Sequence, residues 1–129
     1  MDAVGAARLF VDYRRLRLTG SRAAARRLVN AVGSRDEDLR TLAGMFLVRA
    51  GRRSLPELEH AIAERHPQLP TLLLILADIG DGDAKGTLEG FAGDPDPDVA
   101  RAAADGLSTI AMREKLERGE SPFKVDASA

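Results

Sequence analysis

Val99, Ala103, Leu107 and Ile110 recur every three or four residues, the spacing of one helix face. The run opens on a turn of acids and prolines, Asp94, Pro95, Asp96, Pro97 and Asp98. Leu39, Ala43, Leu47 and Ala50 follow Asp36, Glu37 and Asp38 in the same arrangement earlier in the chain. A turn-plus-helix unit written twice predicts a module copied along the chain.

The remaining pattern predicts helices throughout. Ala6, Leu9, Phe10, Tyr13 and Leu16 share one face of a helix over 3–18, with Arg8, Asp12 and Arg15 off it. Thr19, Gly20 and Ser21 break it, and Ser21 suits the cap of the next helix. Ala24, Leu28 and Val32, with Ala25 and Val29 alongside, predict that helix over 22–32. The acids Asp36 to Asp38 cap the one that runs to Ala50. Ser54 reads as the cap of a helix over 54–65, with Pro56 in its first turn and Leu55, Leu58, Ala61 and Ile62 facing inward. Over 70–79, Leu72 to Ala77 and Ile79 cover nearly the whole circumference, which predicts the central, most enclosed element. Asp83 is expected to cap a short helix over 84–92, anchored by Leu88 and Phe91. A last helix over 97–110 extends through 111–118, and 119–129 reads as a frayed tail. No stretch alternates with a period of two, so the fold class is all-α.

Paired, these helices form units over 21–51, 54–80 and 83–110, preceded by a cap helix over 3–18. The third unit carries Asp98, Val99, Arg101, Ala103, Ala104 and Leu107; the first carries Asp38, Leu39, Arg40 and Ala43 and closes on Ala50 and Gly51. In these residues the chain resembles the short HEAT-like repeats of phycobilisome-lyase-type bacterial proteins. The second unit departs from the pattern, with Gln68, Leu69 and Pro70 at the corresponding turn. The resemblance implies one domain over 1–118, a right-handed α-solenoid of about seven helices in which neighbouring pairs share a core. It implies packing and names no chemistry.

Charge changes the picture more than composition does. Residues 1–30 hold seven Arg and two Asp, a net +5, while residues 66–110 hold two cations and eight acids, a net −6. Opposite-sign ends suit the orienting of a partner, or head-to-tail self-association. Cysteine is absent, which excludes disulfides and thiolate sites. The longest apolar run, Leu72 to Ala77, is far short of the roughly 20 residues of a membrane span. With no signal-peptide pattern at the start, a soluble cytoplasmic protein is expected.

Candidate chemistry is sparse. The acids from Asp94 to Asp98 have the look of a calcium loop, but Val99 and Asp105 stand where Gly and Glu are needed. Some HEAT-like hydroxylases hold iron through His-Glu steps on consecutive repeats; here Glu59 precedes His60 and no second pair follows. No phosphate loop, nucleotide fingerprint or nucleophile motif is present. The sequence therefore predicts no catalytic, cofactor or metal site. It predicts a non-enzymatic adaptor, scaffold or assembly factor that binds another protein through Arg15, Arg22 and Arg26 at one end and Asp94 and Asp96 at the other. The alternative is a nucleic-acid backbone binder using the N-terminal arginines.

Overall fold

Short polar side chains fix where most of the helices begin. In the computed structural model, which describes residues 2–120, α1 runs Ala3–Thr19 behind Asp2, whose carboxylate accepts from the Gly5 amide at 2.9 Å. The Ser21 hydroxyl accepts from Ala24 ahead of α2, Arg22–Ala31. Asp36 accepts from Asp38 and Leu39 ahead of α3, Glu37–Ala50, and also from the Asp2 amide, so one carboxylate ties the start of α1 to the start of α3. A 3-10 turn, Gly51–Ser54, leads into α4, Leu55–Ala63. Then come α5, Leu69–Ile79, and α6, Ala84–Phe91. Finally α7, Pro97–Glu117, begins behind Asp96, whose carboxylate accepts from Asp98 at 2.9 Å. Gly20 and Gly80 close α1 and α5 with φ of 70° and 65°, where a side chain would be strained. All regular elements among the described residues are helical, so the fold is all-α.

Helices α1, α3, α5 and α7 pack successively side by side. On this layer rest α2, against α1 and α3; α4, against α5 and α2; and α6, against α5 and α7. Between them Leu16, Leu28, Leu47, Leu58, Leu72, Leu73, Leu76 and Leu88 are wholly buried. Each contributes about 1.5–3 kcal/mol by leaving water. With few aromatics, these leucines and the small residues Ala24, Ala43 and Ala103 set close helix spacings. Gly106 on α7 marks one such close approach. A Cβ there would stand 3.0 Å from the Ala77 Cβ and 3.2 Å from Leu88.

Several sequence expectations change. Asp12, expected off the buried face of α1, is only 6% exposed, whereas Phe10, expected on it, is 51% exposed. The buried face is Leu9, Tyr13 and Leu16, and Asp12 turns toward Arg27 of α2. Phe10 stays at the edge of the α1–α3 seam, 6.2 Å from the Phe46 ring, which stacks on Tyr13 at 4.7 Å. Helix α5 is not enclosed all round: Leu74 is exposed and Ile79 half-buried. Ser54 does not cap α4. It ends the 3-10 turn, and its buried hydroxyl donates back to the Leu47 carbonyl at 2.7 Å. Asp83 makes no side-chain cap to α6. The expected extension of the last helix through 111–118 does hold, as one continuous helix as far as Glu117. Of the tail, residues 121–129 lie outside the described residues.

An unforeseen link joins the last helix to the central one. The Arg113 guanidinium on α7 donates to the carbonyl oxygens of Asp78 at 2.6 Å and Ile79 at 3.3 Å. Those carbonyls are orphaned at the end of α5, so a side chain from α7 satisfies them.

Candidate binding surface

The N-terminal arginines surround two buried carboxylates. Glu57, on the first turn of α4, is 3% exposed and accepts from Arg22 at 3.4 Å and Arg26 at 3.2 Å. Arg22 and Arg26 are four residues apart on α2, so their guanidinium groups reach the same carboxylate from one helix face. Two cations on one anion leave an uncompensated positive charge at the α2–α4 junction. Asp12 on α1 accepts from Arg27 Nε at 2.9 Å and ties α1 to α2. All three arginines remain more than half exposed while their acids lie beneath. These pairs hold the helices together and present cations outward.

Arg15 belongs to a different surface. It lies on the outer side of α1, where a shallow concavity of about 590 Å³ is lined by Val4, Ala7, Arg8, Val11, Arg15 and Arg27, among others. Val4 is 63% exposed, Val11 49% and Leu18 68%. These three residues stand seven apart, so they fall on one stripe of the helix, and Ala7 joins them. Arg8 and Arg15, also seven apart, flank that stripe on one side, and Arg14, seven residues after Ala7, takes Ala7's place in the stripe one heptad on. No carboxylate of the described residues lies within ion-pair distance of Arg8, Arg14 or Arg15. Helix α1 thus has two apolar faces, one against the core and one open.

The acids predicted for the other end have partners within the fold. Asp94, before α7, accepts from Arg65 through both oxygens, at 2.9 and 3.1 Å, and also from the Asp96 amide. The Arg65 hydrogen bonds, with the Asp96 amide, hold its carboxyl below the usual carboxylate range. Asp96 caps α7 and remains exposed. The structure therefore brings Arg22 and Arg26 together, places Arg15 on the open face of α1, pairs Asp94 with Arg65 from beyond α4, and uses Asp96 to cap α7. Sequence reasoning missed Glu57 and Asp12, whose partners are fixed only by tertiary packing. It also missed the open stripe, although its signal was legible in the seven-residue spacing of Val4, Val11 and Leu18.

A second concavity lies between α3 and α5, where the exposed Met45 and Leu74 meet Val48 and Ile75. Around His60, Glu64 and His66, a smaller cleft holds two histidines engaged locally: His60 faces Glu64 at 3.3 Å, and His66 Nδ1 accepts from the Gln68 amide. Among the described residues no group of three His, Asp or Glu is placed to hold a metal ion, and no helix is long and apolar enough to cross a membrane. No known family, curated protein or solved structure matches the chain.

Proposed function

We propose that this chain is a non-enzymatic protein-binding module, a short α-solenoid of HEAT-like helix pairs acting as an adaptor or assembly factor. The side-by-side succession of α1, α3, α5 and α7 supports the solenoid reading. The observation that carries the binding reading is the apolar stripe of Val4, Val11 and Leu18 inside a border of arginines. An apolar centre with an Arg-rich rim is the composition of a protein interface. A surface that grips phosphates needs the arginines alone and gains nothing from exposed valines at its middle.

Nucleic-acid backbone binding is the second reading, favoured by the lack of ion pairs at Arg8, Arg14 and Arg15. The two separate by capture from a nuclease-treated lysate of the source cells, run beside a duplex DNA titration at increasing salt. The protein-binding reading expects a stoichiometric protein partner that Val11→Glu loses, and weak duplex binding. Tight duplex binding that falls steeply with salt, with no partner retained after nuclease, would replace it. Arg22 and Arg26 are left intact in this variant because they hold Glu57.

A further inference from the structure

We infer that the open face of α1 docks an amphipathic helix of another protein whose flanking positions are acidic; this rests on the protein-binding reading above. The geometry comes first. Val4, Val11 and Leu18 repeat every seven residues, with Ala7 between the first two. That is the seam along which two helices pack with left-handed supercoiling. Ala7 and the valines are small, so a partner helix can approach closely. A seam as long as α1, 17 residues, accommodates more than four turns of an incoming helix.

Charge then selects the occupant. Arg8 and Arg15 stand where a partner's flanking side chains arrive on one side, and Arg14 stands at Ala7's heptad position, where it brings a cation into the seam itself. None of the three has a carboxylate within ion-pair distance among the described residues. Acids on the incoming helix would supply those missing partners with charge-assisted hydrogen bonds. A second α1 is the wrong occupant, because it would set Arg against Arg along the seam. The outer stripe of α7, Met112 and Leu116, is bordered by both Lys115 and Glu117 and offers no row of acids. Residues 121–129 contain one Lys and one Asp, so the chain's own end supplies no such row either.

The test uses two synthetic three-heptad peptides with identical leucine seams, one flanked by glutamates and one by lysines. Binding to the full chain is followed by fluorescence anisotropy at physiological salt and by amide chemical shifts. The glutamate peptide is expected to bind at least tenfold tighter than the lysine peptide and to shift the amides of α1 around Val4, Ala7, Val11 and Leu18. Val11→Glu is expected to weaken it about tenfold or more, a loss that corresponds to 1.4 kcal/mol per decade. The double variant Arg8→Glu/Arg15→Glu is expected to reverse the preference toward the lysine peptide, which no loss of folding would do. All three side chains are exposed, and an unchanged melting temperature checks each variant.

Equal binding of the two peptides, or no binding of either, overturns the inference. So does a mass that rises with concentration and is abolished by Val11→Glu, which would assign the face to a second copy. Shifts confined to the Met45 and Leu74 concavity would refute the docking face and leave the protein-binding reading standing. Tight duplex DNA binding that shifts α1, with neither peptide competing, would refute both.

Discussion

Arg113 closes the end of α5 from another helix, and Gly80 leaves the room for it to do so. The guanidinium reaches the carbonyls of Asp78 and Ile79 only because position 80 has no side chain; a Cβ there would collide with the Arg113 Nη1. Gly80 also sits at φ 65°. Gly80→Ala therefore meets two penalties, backbone strain and displacement of the cap. The expected loss is roughly 1–3 kcal/mol in urea melts with unchanged slope. In an Arg113→Ala background the same change is expected to cost less, since only the backbone part remains. Equal losses in both backgrounds would mean that the guanidinium moves aside freely.

Leu76 is 1% exposed at the middle of α5, the helix on which α3, α4, α6 and α7 all rest. Leu76→Ala removes several buried carbons where four neighbours constrain any collapse. A destabilisation of about 2–5 kcal/mol is expected. Leu74→Ala, on the exposed side of the same helix, is expected to cost well under that. A loss below about 1 kcal/mol for Leu76→Ala would contradict the placement of the core.

The Arg65–Asp94 pair predicts a pH dependence. The folded Asp94 carboxyl titrates below its ordinary range, chiefly because Arg65 donates to both oxygens. A depressed pKa means that the contribution is present above the unfolded value, about 3.9, and is lost as pH falls through the folded value. Asp36 behaves in the same direction: burial pushes it up, but the amides of Leu39, Asp2 and Asp38 outweigh that. Carboxyl NMR titration is expected to place both below the ordinary Asp range. In Arg65→Gln the Asp94 midpoint is expected to rise while that of Asp36 stays. An Asp94 midpoint unmoved by Arg65→Gln would show the pair to be inactive in solution.

Periodicity made the helices legible because burial against a layer leaves its mark every three to four residues. The stripes at Leu39, Ala43 and Leu47 and at Val99, Ala103 and Ile110 carry that mark plainly, and their acidic caps at Asp36 and Asp96 act as local chemistry dictates. What failed were positions decided by a distant partner. Asp12 looks like a solvated charge on a helical wheel, and only Arg27 of the following helix makes it a buried one. Ser54 looks like a cap, but the carbonyl it satisfies lies seven residues back, across a 3-10 turn that no local rule announced. At the binding surface, Arg15, Arg22 and Arg26 were legible as charge. Their division into two paired arginines and one unpaired one depended on Glu57, which sequence spacing does not connect to α2.

Gly106 and Arg113 stand seven residues apart on α7, so they lie on one side of it, two turns from each other. The first sets how near α7 comes to Ala77 and Leu88; the second reaches the end of α5 from that distance. A methyl group at position 106 would act as a wedge, and the tilt it produced would be felt two turns away as a shortened reach. Spacing and closure of this joint are thus both set from one side of α7.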